Sequence, residues 1–161
     1  MDPALERREI LERMEDAVAL LARSMSPQLV LAGGSQIGYA IRGARDKSGI
    51  AAVERRMSVT DGHVQAGGSP AFGADEEITR IILTVMKFDP RRRSAALLRF
   101  SERALKVLDG DLFLECVSRD AATAPAGIST MDWGVAAACR DDVPDVIYSR
   151  GGGETDGSLI I

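Results

Sequence analysis

Short apolar runs alternate with amphipathic segments along this chain, and glycine-containing loops separate many of them. The clearest amphipathic segment follows Asp75, where apolar side chains recur at helical spacing: Ile78, Ile81, Ile82, Val85 and Met86. Strands are predicted at 50–59, 63–65, 112–117 and 143–148, and a last strand begins at 158. Ala95–Phe100 fits a helix or a strand equally well. The alternation predicts an α/β fold in which helices cover a sheet.

The length and the first segment bound the domain organisation. A chain of 161 residues has the size of one ordinary domain, so we expect a single domain over 1–161. Residues 1–25 are predicted to form an amphipathic helix, because Asp2 can cap it and Pro3 suits its first turn. A strand begins at Ser158 and the chain stops inside it. Since a natural domain rarely ends in mid-strand, we expect this C-terminal strand to be truncated.

Charge and hydropathy argue against several classes of protein. The net charge is −4, which gives no general attraction to nucleic acid. The sequence contains no apolar stretch of about 20 residues, so no membrane span is predicted. The charged N-terminus does not resemble a signal peptide, and we expect a cytoplasmic protein. Cys116 and Cys139 are interpreted as small core residues rather than as a disulfide or a zinc site.

Few residues suggest nucleophilic chemistry, whereas several suggest phosphate binding. His63 is the single histidine and lies at a predicted turn, so neither a Ser–His–Asp nor a Cys–His arrangement can be argued. The loops 33–38, 67–73 and 151–157 are each compatible with a plain turn, but glycine also lets backbone N–H groups approach an anion. Together with nearby arginines, these loops favour a phosphate-binding pocket.

The arginines differ in how much they indicate. A guanidinium group is a preferred planar partner of phosphate. Arg99 lies in an apolar run, where a buried charge needs a partner. Arg80 lies beside the apolar stripe of the predicted helix, and Arg91–Arg93 is interpreted as a solvated loop. Trp133 is interpreted as a core residue, with stacking on a pyrimidine as the alternative.

The order of these segments resembles the ThiN family of thiamine-phosphate synthase domains. The similar blocks are GSQIGYA (34–40), FGADEEITR (72–80), DPRRRSAALLRFSE (89–102), STMDWG (129–134) and PDVIYSRGG (144–152). They cover nearly the whole chain after the first helix. Five blocks in the right order are more specific than any one of them.

The resemblance implies a fold, a reaction and a set of site residues. It implies a three-layer α/β/α sandwich similar to the class II aldolase (AraD-like) fold, often as a homodimer. The family condenses hydroxymethylpyrimidine diphosphate with thiazole phosphate to give thiamine phosphate and pyrophosphate, with Mg²⁺ as the expected cofactor. The implied partners are therefore small thiamine precursors, with no membrane and no nucleic acid bound through this domain.

The site residues follow from the matching blocks. The implied catalytic residues are Arg80 and Glu77, and no metal site built by the protein itself is expected. The implied substrate- or phosphate-binding residues are Arg99, Gly73, Ser101, Trp133, Arg150, Gly151 and Gly152.

Three departures from the family pattern leave the activity open. Glu77 stands where the family has histidine, Leu97 where it has asparagine, and 154–157 where it has Gly-Lys-Glu-Pro. A glutamate beside a diphosphate repels it unless a metal intervenes. Three hypotheses remain: an active synthase, a non-catalytic thiamine-phosphate sensor or accessory domain like those of archaeal regulators, and a domain that serves oligomerisation through its first helix.

Overall fold

The computed structural model describes residues 2–118, 132–152 and 155–161. The helices in this part of the chain are α1 (Pro3–Ser24), α2 (Glu76–Phe88), α3 (Glu102–Lys106) and α4 (Trp133–Ala138). The strands there are β1 (Gln36–Ala40), β2 (Ile50–Val53), β3 (Ser58–Thr60), β4 (His63–Gln65), β5 (Pro70–Phe72), β6 (Ser94–Arg99), β7 (Cys116–Ser118), β8 (Val146–Gly152) and β9 (Thr155–Ile160). Short 3₁₀ turns lie at Pro27–Leu29 and Lys47–Gly49, and a π-helical turn follows α3 at Val107–Asp111.

Seven of the described strands form one mixed sheet in the order β5-β2-β1-β6-β9-β8-β7. The neighbours β7 and β8 run parallel, and the other adjacent pairs run antiparallel. Strands β3 and β4 form a separate hairpin, which turns at Asp61 and Gly62 as predicted. The predicted α/β class is confirmed.

Helices cover both faces of the large sheet. In β2, Ile50 and Ala52 point into the core that contains α2 and α4, whereas Ala51 and Val53 point into the core that contains α1. Strands place successive side chains on opposite faces, so these two cores lie on opposite sides of the sheet. A third cluster, on the α1 side, includes Leu98 and contacts from α3.

Caps and apolar stripes explain where the two long helices form. The carboxylate of Asp2 accepts a hydrogen bond from the Ala4 N–H at 3.1 Å, and Pro3 begins α1. Asp75 caps α2 by accepting from the Ile78 N–H at 3.0 Å. Both caps were predicted. The buried residues of α1 are Ile10, Met14 and Val18, and those of α2 include Ile78, Ile81, Ile82 and Met86.

Two predicted strands differ from the structure. The run 50–59 is not one strand, because β2 ends at Val53 and β3 begins at Ser58. The prediction of a buried strand over 112–117 is wrong, since only its end joins β7. Leu112 is 57% and Phe113 86% exposed. An apolar run predicts burial only when the neighbouring elements cover it.

Other segments gain or change structure. The loop predicted over 67–73 contains β5, and the loop predicted at 151–157 is largely the β8–β9 hairpin. The ambiguous segment Ala95–Phe100 is mostly strand β6. The small residues of 119–128 indicate a loop, and Ser129 with Asp132 matches the spacing of a capping box; 119–129 lie outside the described residues.

The structure also bears on the cysteines, the basic run Arg91–Arg93 and membrane spans. Both cysteines are free; Cys139 is a buried core residue as predicted, whereas Cys116 is only partly buried. Arg93 corrects the prediction of a solvated basic loop, because its Nη1 donates to the Ala40 carbonyl at 2.8 Å and its side chain is only 17% exposed. No helix among the described residues is long and apolar enough to cross a membrane.

Candidate functional site

Polar side chains converge at one end of the sheet, on the face that α2 covers. Gln36 comes from the start of β1, Arg56 follows the end of β2, and Asp75 and Glu77 come from the beginning of α2. The pairing of β1 with β2 and the packing of α2 against both strands bring together residues that are up to 41 positions apart in the chain. We refer to Gln36, Arg56, Asp75 and Glu77 as the sheet-end cluster.

Gln36 forms the buried floor of the sheet-end cluster. Its side chain is fully buried, and its amide oxygen accepts from the N–H groups of Val53 at 3.0 Å and Ile37 at 3.1 Å. Its Nε2 donates to the Val53 carbonyl at 2.9 Å and to Asp75 Oδ2 at 3.3 Å. A buried amide with partners at both ends has one fixed orientation. Gln36 therefore ties the end of β2 to the cap of α2.

The backbone around Arg56 is fixed from two sides. The next residue, Met57, is fully buried and exchanges backbone hydrogen bonds with Ser35 at 2.8 and 2.9 Å. Gly34 lies opposite with φ of +97°, and a Cβ there would come within 2.5 Å of Arg56 Cβ. Both the backbone angle and this close approach require glycine at position 34. The glycine of the GSQIGYA block therefore makes room for Arg56.

Arg56 is held by two carboxylates of unequal exposure. Its Nε donates to Asp75 Oδ2 at 2.9 Å and its Nη2 to Asp75 Oδ1 at 3.2 Å, which is a bidentate pair. Nη2 also donates to Glu77 Oε1 at 2.8 Å. The side chains of Arg56, Asp75 and Glu77 are 26%, 10% and 42% exposed. Asp75 is thus the inner partner and Glu77 the outer one.

The ion pairs determine the protonation states of the cluster. Burial by itself would raise the pKa of Asp75, but hydrogen bonds from Arg56, the Ile78 N–H and Gln36 hold that pKa below its ordinary value. Burial opposes the charge of Arg56, yet its bonds to Asp75 and Glu77 raise its pKa. The pair Arg56–Asp75 is therefore ionised at neutral pH.

The predicted residues of the FGADEEITR block lie around this cluster. Gly73, with φ of +77°, makes the turn between β5 and the cap of α2. Glu77 belongs to the cluster, and Arg80 lies one turn further on the same flank of α2, exposed to solvent. The structure thus places Gly73 just before α2, and Glu77 and Arg80 in its first two turns.

The start of α4 lies against the same flank of α2. The Asp132 N–H donates to Thr84 Oγ1 at 3.0 Å, and this hydroxyl donates to the Arg80 carbonyl at 2.7 Å. Trp133 is the first residue of α4. The element that carries Trp133 is thus next to α2, although its side chain is outside the described part.

Arg99 lies at the end of β6 on the face covered by α2. Ala95 and Leu97 point into the core beneath α2, and Arg99 continues this alternation. Leu97 pairs in register with Gln36, so Arg99 lies two residues further along β6 than the partner of Gln36. Its partner in β9 is Ser158. Arg99 therefore shares a face and a sheet end with Gln36.

Two other predicted residues lie on the α3 side. Ser101 caps α3, with its hydroxyl accepting from the Ala104 N–H at 2.9 Å. Arg150 donates to Glu102 at 2.7 Å and lies over the rings of Phe100 and Tyr148, at 5.6 and 5.2 Å from their centroids. These contacts place Ser101 and Arg150 on the α3 side of the sheet, opposite to the face of the sheet-end cluster.

The remaining predicted residues are in the β8–β9 hairpin. Gly151 has φ of +75° and pairs with Asp156, while Gly152 pairs with Thr155. Left-handed backbone at Gly151 explains the glycine there as a hairpin feature.

The sequence did not single out Arg56 or Gln36 as site residues, and for Arg56 a local signal existed. A pair of arginines, Arg55 and Arg56, directly follows the buried strand Ile50–Val53. Charged residues at the end of a fully buried strand were the available signal. Asp75 was predicted as a cap, but nothing local indicated that it also binds Arg56.

The cluster holds one cation, Arg56, between two carboxylates. Arg56 is anchored by Asp75, so its planar guanidinium group is held in one orientation, in which it can donate to the oxygens of a phosphate. Among the described residues, no group of three or more His, Cys, Asp or Glu side chains could hold a metal ion.

Comparison with known proteins gives relatives in thiamine biosynthesis. Among them is a bifunctional thiamine biosynthesis protein ThiDN of Methanocaldococcus jannaschii, 30% identical over 92% of this chain and 36% of that protein. Another is a thiamine-phosphate synthase ThiN of Methanothermobacter thermautotrophicus, 31% identical over 63% of this chain and 57% of that protein. The chain thus spans about a third and somewhat more than half of the length of these two relatives.

Solved structures share the fold. The C-terminal domain of protein MJ0236 is 29% identical with a TM-score of 0.85, covering 96% of this chain and 85% of that one. The C-terminal domain of a phosphomethylpyrimidine kinase has a TM-score of 0.83 at 24% identity, covering 97% of this chain and 91% of that one. At this identity the second likeness concerns the fold alone.

A family model matches most of this chain. The model described as thiamine-phosphate synthase ThiN matches residues 13–161, which include the whole sheet, the sheet-end cluster and each predicted site residue. The chain therefore belongs to the ThiN family of thiamine-phosphate synthase domains.

Proposed function

We propose that this chain binds thiamine precursors at the sheet-end cluster and condenses hydroxymethylpyrimidine diphosphate with thiazole phosphate to thiamine phosphate and pyrophosphate. Family membership supports the substrate class. The observation that supports binding at the sheet-end cluster is the guanidinium group of Arg56, which Asp75 fixes at 2.9 Å and which is still 26% exposed. A fixed but accessible cation is what a phosphorylated substrate requires.

The chemistry assigns roles to the residues at this end of the sheet. The bond from the pyrimidine methylene carbon to the diphosphate oxygen breaks, and the thiazole nitrogen forms the new bond to that carbon. Negative charge accumulates on the leaving pyrophosphate. Arg56 and Arg99 would stabilise this charge, and Arg80, on the exposed flank of α2, would meet an outer phosphate.

We also propose Mg²⁺ as the companion of the diphosphate. Mg²⁺ is usually held by substrate phosphates with one or two carboxylates. Of the two acids in the cluster, Asp75 is bound in a bidentate pair and Glu77 is the more exposed, so Glu77 is the side chain that would join the ion. The metal supplies charge neutralisation on the leaving group.

A turnover assay with matched variants tests this proposal. The purified chain, given both substrates and Mg²⁺, is expected to form thiamine phosphate, detected by chromatography. Arg56→Gln is expected to lower kcat/KM by about 100-fold or more, as loss of one stabilising charge does in other active sites. Arg55→Gln removes the adjacent arginine, whose Nε donates to the Gly67 carbonyl at 2.8 Å, and is the control. Equal loss in both variants, or no product from the folded wild type, contradicts the proposal.

A second candidate is a non-catalytic thiamine-phosphate-binding domain. The observation in its favour is that Glu77, at the position of the family's histidine, forms an ion pair with Arg56. This candidate predicts that thiamine phosphate raises the melting temperature without any turnover. Synthesis by Glu77→His in an otherwise inactive protein would support it. Product formation by the wild type would exclude it.

Two structural expectations accompany the proposal. The likeness to the class II aldolase fold and the homodimer both follow from the family resemblance. Sedimentation velocity at micromolar concentration is expected to give the mass of a dimer, and the mass of a 17.2 kDa monomer would contradict that expectation.

A further inference from the structure

The two carboxylates on Arg56 differ in a way that suggests different roles. Asp75 binds both Nε and Nη2, caps α2 and receives Gln36, so it is tied to four groups of the fold. The described contact of Glu77 with the cluster is the single bond to Nη2 at 2.8 Å. Asp75 therefore fixes the position of Arg56, whereas Glu77 only accepts one hydrogen bond from its Nη2.

The outer ion pair is the easier one to exchange. Ion pairs between partly exposed side chains are weak because solvent screens them and long side chains lose rotamer freedom. Glu77 is 42% exposed, and releasing it leaves the cap of α2 and the bidentate pair intact.

We propose that Glu77 acts as an internal competitor for anionic ligands at Arg56 and thereby sets which phosphorylated ligands the site accepts. This inference rests on the proposed binding function. A phosphate oxygen can take the Nη2 donor only after Glu77 moves away, and the carboxylate then remains nearby. Its repulsion grows with the charge of the ligand. Without metal, the site therefore selects a monophosphate ester over a free diphosphate.

The chain provides a matched pair of variants for this idea. Glu77→Gln removes the competing charge, keeps the size of the side chain and leaves Asp75 in place. Glu76→Gln removes an equal charge from the neighbouring position of the same first turn, where the side chain is exposed and makes no described bond to Arg56. The two variants thus have the same net charge and the same effect on the helix dipole.

Calorimetric titration in EDTA with inorganic pyrophosphate, thiamine phosphate and unphosphorylated thiamine tests the proposal. Glu77→Gln is expected to bind pyrophosphate about three- to tenfold more tightly than Glu76→Gln does. It is also expected to bind thiamine phosphate more tightly than Glu76→Gln does, but by a smaller factor. Thiamine, which carries a cation and no phosphate, is expected to bind no more tightly. Raising NaCl from about 50 to about 500 mM is expected to shrink the difference between the variants.

The outcomes separate this inference from the proposed function. If the wild type binds thiamine phosphate but the two variants bind pyrophosphate equally, the inference is overturned and the proposed function stands. If neither the wild type nor Glu77→Gln binds any of the phosphorylated ligands, both are overturned. A lower melting temperature of Glu77→Gln without a change in affinity would identify Glu77 as a purely structural partner, which also overturns the inference.

Discussion

Replacing Asp75 by alanine tests whether this carboxylate holds both α2 and Arg56. The substitution removes the cap on the Ile78 N–H, which costs about 1 kcal/mol. It also removes two charge-assisted hydrogen bonds to a guanidinium group that is 26% exposed. Solvent and the remaining bond to Glu77 offset part of that loss, so we assign it about 1–2 kcal/mol. The free energy of unfolding is therefore expected to fall by about 2–3 kcal/mol.

Two control variants separate the contributions. Asp2→Ala removes a helix cap without any ion pair and is expected to cost about 0.5–1 kcal/mol. Asp75→Asn keeps an acceptor for the Ile78 N–H but loses the charge, so its cost is expected to lie between the other two. Urea unfolding followed by circular dichroism measures all three. If Asp75→Ala costs no more than Asp2→Ala, the ion pair contributes nothing and the argument is refuted.

The pH dependence gives the same test a definite sign. The pKa of Asp75 is lower in the folded protein than in the unfolded chain, where it is about 3.9. The unfolded state therefore binds the proton more readily, and the stabilisation is complete only above the unfolded pKa. The stability difference between wild type and Asp75→Asn is expected to be constant near neutral pH and to shrink below about pH 4. A difference that stays the same down to pH 2–3 would show that the charge of Asp75 is not responsible.

Further predictions concern close packing and thiol chemistry. Gly67→Ala is expected to destabilise the fold by more than about 3 kcal/mol, because its Cβ would lie 1.6 Å from the Arg55 carbonyl oxygen. Gly62→Ala meets open space at φ of +77° and is expected to cost only about 1–2 kcal/mol in the same urea experiment. Burial raises the pKa of Cys139 to about 11, and its side chain is 1% exposed, so it is expected to resist Ellman's reagent at about pH 8 until the protein unfolds. Cys116 is less buried and is expected to react first, and rapid labelling of Cys139 in the native protein would contradict this interpretation.

The sequence predicted α2 well because its cap and its apolar stripe lie within one short segment. Asp75, the apolar stripe of α2 and the stop at Asp89 lie within one continuous segment, so the sequence predicts that helix almost residue by residue. The run 112–117 has equally apolar residues, but a π-helical turn and the left-handed backbone of Phe113 (φ +56°) direct it to the surface. No pattern within that run contains the missing information, because coverage depends on elements elsewhere in the chain.

The candidate site shows the same limit at longer range. Glu77 and Arg99 were found through blocks of similar sequence, and both lie on the α2 side of the sheet. Arg56 was missed because its link to Asp75 exists only once β1 pairs with β2 and Met57 bridges to Ser35. Arg150 was included because it lies within one of the similar blocks, 144–152. The two-residue period of β8 instead places it with Tyr148 on the face of α3.

The departures from the family pattern act on different parts of the site. Gln36 also departs from the resembling family block, which has a different asparagine at the position of Gln36; its side chain is buried and has each end of its amide bonded, so the floor of the site is complete. Leu97 pairs with Gln36 and is 1% exposed, which makes it part of the core beneath α2. Glu77 is the departure that faces solvent and contacts the cation on which ligand binding would depend. A change at Glu77 can therefore alter ligand choice and turnover while the fold stays the same, whereas changes at Gln36 or Leu97 act through the fold. For this reason we expect substitutions of Glu77 to separate affinity from stability, and substitutions of Gln36 to change both together.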